Sequence, residues 1–168
     1  MTYACVVVGT DGSATAERAV RHGAELAAVD DARMVVVTAF ESEHRSAMEH
    51  LAGTDPSGSA RRQAGAPDDV RWMLTDRGQA DGVAQRARII AHDAGVSGVV
   101  IQSDEGDPAE VLIDAARFYD ADLLVVGSVG LVGAKRFLLG SVAASVLHHA
   151  PCDVLVVDTI HEAKASAP

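Results

Sequence analysis

Aromatic side chains are scarce in this chain. Phe, Trp and Tyr together make up 4% of its 168 residues, whereas hydrophobic residues of all kinds make up 48%. A core built around large rings is therefore excluded, and the apolar interior must come from Val, Ala, Leu and Ile. These residues suit helices with small side chains packed on valine-rich strands. A chain of this length can bury a sizeable core as one domain.

Positive charge is also in short supply. The chain has 14 Lys and Arg against 24 Asp and Glu, which gives a formal charge of −10. This balance argues against broad electrostatic binding to nucleic acid or to acidic membranes. No apolar stretch approaches the roughly 20 residues that span a bilayer, and the first residues, MTYACVVVGTDGS, lack the basic region of a signal peptide. We therefore expect a cytoplasmic protein that binds neither nucleic acid nor membrane.

Residues that commonly bind metals or form bridges are few or poorly placed. The two cysteines, Cys5 and Cys152, fall inside or beside predicted strands, and we expect buried free thiols rather than a disulfide. The seven histidines show no metal-ligand spacing. His148 and His149 are adjacent, so on a helix they would point about 100° apart. We expect no metal ligand from the protein, and we expect one of these histidines to cap the carbonyl end of its helix.

Apolar runs alternate with helical patterns along the chain. Runs at 5–8, 34–37, 99–101, 123–126 and 154–157 predict five strands. Helical patterns lie between them, at about 14–29, 79–94, 108–119 and from 141 to Pro151. Ser13 and Asp107 are predicted N-caps, and Gly95 ends the second helix. This alternation predicts an α/β fold, a doubly wound parallel sheet with helices on both faces. Periodicity does not give the strand order.

A set of glycines follows the fourth predicted strand. Two residues separate Gly127 from Gly130, and nine separate Gly130 from Gly140-Ser141. Glycines at the carboxyl end of a parallel strand let backbone amides approach an anion, and a helix N-terminus adds partial positive charge. The glycines could instead serve tight turns alone. Their spacing between two apolar strands favours a phosphate cradle.

Two familiar phosphate motifs do not fit this segment. A Rossmann G-x-G-x-x-G has one residue between its first two glycines, and a Walker A loop has Ser or Thr after its lysine, whereas Lys135 precedes Arg136. The spacing G-x2-G-x9-G-S instead resembles the nucleotide-binding branch of the universal stress proteins. The opening Val-Val-Gly-Thr-Asp-Gly-Ser, residues 7–13, is similar to that family's first strand and loop.

The resemblance implies a Rossmann-like, five-stranded sheet in the order 3-2-1-4-5, with the loops after strands 1 and 4 side by side. Thr10 and Asp11 would lie against the nucleoside, and the backbone of Ala39 would meet the adenine. The glycine segment would wrap the ribose and phosphates, which the amides at the helix start would hold. The positions that match this nucleotide site are Gly9, Thr10, Asp11, Ala39, Gly127, Ser128, Gly130, Gly140, Ser141 and Val142.

Two of these residues also have a purely structural interpretation. Asp11 could stabilise its own turn, because Asp hydrogen-bonds readily to nearby backbone; the resemblance favours a carboxylate that accepts hydrogen bonds from a ligand. The Ser141 hydroxyl could cap the last helix. Capping and ligand binding do not exclude each other.

The function implied is that of an ATP-binding universal stress protein, a regulatory or signalling module of the stress response, with Mg on the phosphates at most. Cyclic AMP is the alternative, because the opening Gly-Thr-Asp-Gly-Ser, residues 9–13, and the segment 121–131 also resemble an actinobacterial branch that binds cyclic AMP. The pair Lys135-Arg136 favours the ligand with more phosphate charge, ATP. Slow ATP hydrolysis is a further alternative, but residues 127–142 contain no Asp, Glu or His to serve as a base.

The remaining expectations concern organisation and partners. Residues 1–158 are expected to form one domain, with a variable insertion at 41–76 and a disordered tail at 159–168. The fifth strand, Asp153–Val157, has no lysine or proline to block pairing. The resemblance places it at the sheet edge, where we expect it to form a homodimer. A protein partner, unidentified by the sequence, is expected for the signalling role.

Overall fold

A computed structural model describes residues 2–40, 76–128 and 139–158. The strands are β1 (Cys5–Gly9), β2 (Arg33–Phe40), β3 (Val99–Glu105), β4 (Leu123–Gly127) and β5 (Asp153–Val157). The helices are α1 (Ala14–Val29), α2 (Asp76–Asp93), α3 (Pro108–Phe118) and α4 (Ser141–His149). The predicted insertion lies outside the described residues apart from Asp76, which is the first residue of α2, and the predicted tail also lies outside them.

All five strands are parallel and follow the order β3-β2-β1-β4-β5. The predicted fold and strand order are therefore confirmed. β1 pairs with β4, for example Val7 with Leu124, although more than a hundred residues separate them in sequence. Connections leave this central pair in opposite directions, which opens a crevice at the carboxyl ends of β1 and β4.

The sheet is buried on both faces, and consecutive strand residues serve opposite layers. Val7 packs with the layer of α3 and α4, whereas Val8 packs with the layer of α1 and α2, and both are fully buried. Burying one such valine contributes about 1.5–3 kcal/mol. Alanines dominate the buried face of α1, as expected from a sequence with few aromatic residues.

Side chains fix the ends of several elements. The predicted N-caps are confirmed: Ser13 Oγ accepts from the amide of Ala16 at 3.1 Å, and Asp107 Oδ1 accepts from Ala109 at 2.9 Å. His149 Nδ1 lies 2.9 Å from the carbonyl oxygen of Ser145, so the expected histidine cap is also present. The carboxylate of Asp122, just before β4, accepts from the amide of Cys5 at 2.9 Å. This contact joins the starts of the two central strands.

Both cysteines are free thiols. Cys5 is buried in β1, and Cys152, just before β5, is half-buried rather than fully buried as expected. Burial raises the pKa of the Cys152 thiol, and the nearby carboxylates of Asp153 and Asp122 raise it further. β4 lies between β1 and β5, so these two cysteines do not form a bridge.

Helix α1 approaches the sheet closely because Gly23 has no side chain. A Cβ on Gly23 would lie 2.6 Å from Cγ2 of the fully buried Val8. We predict that Gly23→Val lowers the free energy of unfolding by about 1–3 kcal/mol, because the core must shift to admit the new side chain. Urea denaturation measures this. Gly98→Ala is the control, since a Cβ there has no neighbour within 4 Å; an equal loss in both variants would contradict the prediction.

Candidate functional site

The crevice above β1 and β4 contains a cavity of about 420 Å³, which we call the switch-point cleft. Its walls come from the carboxyl ends of three parallel strands, β1, β2 and β4, and from the first turns of three helices, α1, α3 and α4. Eight of the ten predicted site residues line it: Gly9, Thr10, Asp11, Ala39, Gly127, Gly140, Ser141 and Val142. Ser128 lies beside the cleft without lining it, and Gly130 lies outside the described residues, as do Lys135 and Arg136.

The loop after β1 forms one rim of the cleft. The amide of Thr10 donates to the carbonyl of Val37 at 3.0 Å, which extends the ladder between β1 and β2 by one residue. Asp11 Oδ1 then accepts from the amide of Ser13 at 3.0 Å and from its hydroxyl at 2.6 Å. Asp11 therefore has the turn-stabilising role considered for it. It also lines the cleft, so the turn role does not exclude contact with a ligand.

The backbone of Ala39 faces the cleft. Successive residues of a parallel strand direct their amide and carbonyl groups alternately to the two neighbouring strands. Val37 bonds towards β1, through its contact with Thr10, and Phe40 bonds towards β3, through the amide of Gly106 at 3.0 Å. The amide and carbonyl of Ala39 therefore point towards β1, but the paired residues of β1 and β2 end at Gly9 and Val37. Within the described residues, no strand pairs with Ala39 on this side.

The start of α4 forms the opposite rim. Gly140 is the N-cap and makes no side-chain capping bond. Ser141 is the first helical residue, so the interpretation of Ser141 as a helix cap is wrong; its hydroxyl is exposed at the helix start. The first amides of a helix have no acceptor within it and attract anions. No acidic residue occupies the first turn of α4, which leaves this end of the cleft suited to a phosphate.

Two backbone bonds hold the ends of the glycine segment. The amide of Ser128 donates to the carbonyl of Val157, at the end of β5, at 2.8 Å, and the carbonyl of Ser128 accepts from the amide of Gly140, also at 2.8 Å. Ser128 thus fixes where α4 begins relative to β4. Its place in the structure is that of a backbone brace beside the site.

Six lining residues were missed by the sequence reasoning, and their side chains are small or apolar: Ala16, Val37, Pro108, Leu112, Val126 and Ala143. Among them, Leu112 lies on the buried face of α3 and is 5% exposed. Its δ-carbons come within 2.8 and 2.9 Å of the place where a Cβ on Gly9 would lie. Because Gly9 has no side chain, Leu112 can pack against the end of β1 and form an apolar side of the cleft. In the sequence, the one sign of this contact is the glycine itself.

The electrostatics of the cleft are simple. Among its described lining residues, Asp11 is the single ionisable side chain.

The described residues contain no group of three or more His, Cys, Asp or Glu placed to hold a metal ion. They also contain no helix with the length and apolar character needed to cross a membrane.

Comparisons with known proteins place this architecture among its relatives. Residues 2–158 match the model of the universal stress protein family. Universal stress protein Rv1636 of Mycobacterium tuberculosis is 36% identical over 157 residues, covering 94% of this chain and 97% of the relative. A crystal structure of a universal stress protein in complex with cAMP is 30% identical, with a TM-score of 0.65, and covers 95% of this chain and 99% of that one.

A more distant structure shares the fold alone. The universal stress protein from Archaeoglobus fulgidus in complex with dAMP is 24% identical, with a TM-score of 0.64, and covers 94% of this chain and all of that one, 100%. The fold is therefore shared with a protein of quite different sequence.

The rim loop depends on Gly12, which has φ +76° and whose Cβ would lie 2.6 Å from Cγ2 of Val83. We predict that Gly12→Ala lowers the free energy of unfolding by about 1–3 kcal/mol, because it adds backbone strain and a clash. Gly82→Ala should have the opposite effect and raise it by about 0.5–1 kcal/mol, since the nearest atom to that Cβ is 3.9 Å away. Thermal and urea unfolding measure the free energy of unfolding of both variants. A change of the same sign in Gly12→Ala and Gly82→Ala would contradict the prediction.

Proposed function

The chain belongs to the universal stress protein family, and we propose that it is an adenine-nucleotide-binding member that regulates a stress response, with ATP as its preferred ligand. The observation that carries this proposal is the backbone of Ala39 at one end of the switch-point cleft, which no strand of the described residues pairs on the side that faces β1. The start of α4 lies at the other end, and the two ends suit a base and a phosphate respectively.

Adenine is the base that fits Ala39 best. Its N1 accepts a hydrogen bond and its 6-amino group donates one, which matches a backbone amide and a backbone carbonyl side by side. Guanine presents the reverse order, a donor at N1 and an acceptor at O6, and would leave two polar groups opposed. Each buried group left without a partner costs about 1–3 kcal/mol. The apolar side chains of Val37 and Leu112 line the same region and suit a flat aromatic ring.

The ribose and phosphates would occupy the rest of the cleft. Asp11 is positioned to accept hydrogen bonds from the ribose, and the amides of Ser141 and Val142 to bind a phosphate at the helix start. Gly127 and Gly140 have no side chain to obstruct that approach. The assignment of Gly130 to the same cradle stays a prediction, and any Mg²⁺ would be carried by the phosphates rather than by protein ligands.

Cyclic AMP is the second candidate. It is favoured by the cAMP complex of the 30% identical universal stress protein and by a cleft whose described lining contains no cation. ATP stays first because the pair Lys135-Arg136 falls within the predicted cradle.

ATP hydrolysis would be slow at best, since the described lining offers no carboxylate or histidine besides Asp11. We further propose a cytoplasmic location and an as yet unidentified protein partner.

The direct test is to denature freshly purified protein and identify the released nucleotide by mass spectrometry. Calorimetric titration with ATP, cyclic AMP and GTP then ranks the ligands. We expect an adenine nucleotide in the extract and binding of at least one adenine nucleotide well above GTP. Equal affinity for ATP and GTP would contradict the assignment of Ala39 to the base.

We predict that Asp11→Ala weakens adenine-nucleotide binding by about 1.5–3 kcal/mol, or about 10–150-fold, because charge-assisted hydrogen bonds to the ribose are lost. Calorimetry measures the affinity. Asp114→Ala, an exposed carboxylate on α3 paired with Arg117, is the control and should bind as the parent does. Unchanged affinity in Asp11→Ala would leave Asp11 with its turn role alone.

We also propose that the protein is a homodimer joined through β5. In the described part of the chain, β5 has one neighbouring strand, β4. The carbonyl of Val157 bonds towards β4, so by alternation Val154 and Val156 direct their amides and carbonyls to the free edge. Their side chains are half-buried, and Leu147 on the adjacent α4 is 49% exposed. Antiparallel pairing with a second copy would cover all of these groups.

The alternation yields a sharp prediction for proline substitutions. Val156→Pro removes an amide that faces the free edge, so it should give a folded monomer, whereas Leu155→Pro removes an amide bonded to β4 and should destabilise the fold itself. Light scattering at micromolar concentration and circular dichroism distinguish these outcomes. A parent that is monomeric, or a Val156→Pro variant that stays dimeric, would rule out this interface.

A further inference from the structure

Helix α2 lies directly against the rim loop of the switch-point cleft. Val83 approaches Gly12 so closely that no side chain would fit between them. The guanidinium of Arg86 is beside the same glycine: its Nη2 lies 3.4 Å from the position of a Gly12 Cβ, and its Nη1 lies 3.9 Å from that of a Gly82 Cβ. The guanidinium thus lies within ordinary contact distance of one glycine on the loop and one on the helix.

A positive charge near the cleft would favour the binding of an anionic ligand. An anionic ligand would enter a protein of formal charge −10 and a cavity in which Asp11 is the single ionisable group among the described lining residues. Asp11 directly precedes Gly12, so Arg86 stands over the segment that carries this carboxylate. Arg86 is exposed, and the described residues give it no ion pair or hydrogen bond. Its charge is therefore available to a ligand.

We propose that Arg86 is a further recognition residue of the nucleotide site, whose charge offsets that of Asp11 and favours ligands in proportion to their phosphate charge. This inference rests on the proposed function. The sequence reasoning did not include α2 in the site, because nothing in its helical pattern separates Arg86 from the other arginines of that helix.

If Arg86 acts through its charge, its effect on binding should depend on the charge of the ligand and on the salt concentration. The effect of a charge that acts through solvent grows with the charge of the ligand and weakens as salt shortens the screening length. It should therefore matter little for neutral adenosine and most for ATP. A residue that merely packs against the loop would instead affect adenosine and ATP alike, at any salt concentration.

Arg88 provides a matched control. It lies two residues further along α2, is likewise exposed, and lines a separate depression of about 270 Å³ with His92 and Ser97 near the start of β3. Arg86→Gln and Arg88→Gln change the net charge of the protein equally, so any difference between them reports the position of the charge.

The experiment is calorimetric titration of the full chain with adenosine, AMP and ATP, at low salt and at 0.5 M NaCl (on the order of a 4 Å screening length). At low salt we expect Arg86→Gln to weaken ATP binding by about three- to tenfold, AMP binding by less, and adenosine binding not measurably. Arg88→Gln should match the parent, Arg86→Lys should retain most of the affinity, and the deficit of Arg86→Gln should shrink at high salt.

Other outcomes would overturn the inference in separate ways. Equal effects of Arg86→Gln and Arg88→Gln would mean that only net charge matters. An equal loss of adenosine and ATP in Arg86→Gln would assign Arg86 a packing role. A parent that binds neither adenosine nor ATP would overturn the proposed function, and this inference with it.

Discussion

The pairing between β1 and β2 ends three residues before β2 does. The proposed binding of a base at the end of β2 depends on this difference in length. Pairing stops at Gly9 and Val37, while β2 continues to Phe40 because β3 supports it on the other side. A strand that outlasts its neighbour presents backbone groups that the sheet no longer uses. Here those groups belong to Ala39, and they lie where the crevice between diverging connections already exists.

The fold could be predicted because each buried strand is short, apolar and bounded by glycine or polar residues. Where a strand is polar, the same reasoning fell short. β3 was predicted over 99–101 but extends to Glu105, since its last residues, from Gln102 on, pair with the end of β2. Tertiary pairing, rather than the local preference of Ser, Asp and Glu, forms this half of the strand. The extension matters, because it is what supports β2 beside Ala39.

The site was predicted less completely than the fold, and the difference has a physical cause. Polar residues and glycines in loops stand out from the apolar patterns of strands and helices, so Thr10, Asp11 and Gly140 could be named from the sequence. Leu112 could not, because an apolar residue at helical spacing predicts a core position whether or not a cavity lies beside it. The start of the last helix at Ser141 was predicted correctly, but a Ser next to a Gly also suggested a side-chain cap, and the helix begins without one.

Three glycines of the described residues mark a close approach between elements. Gly9 admits Leu112, Gly23 admits Val8, and Gly12 admits Val83, each at a distance no side chain would tolerate. In each case the neighbour comes from another element, so the absent Cβ sets how near that element can pack. Helix α2 reaches the rim loop for this reason. Gly12, a glycine of the loop after β1, thus also determines which helix, and which of its charges, lies beside the cleft.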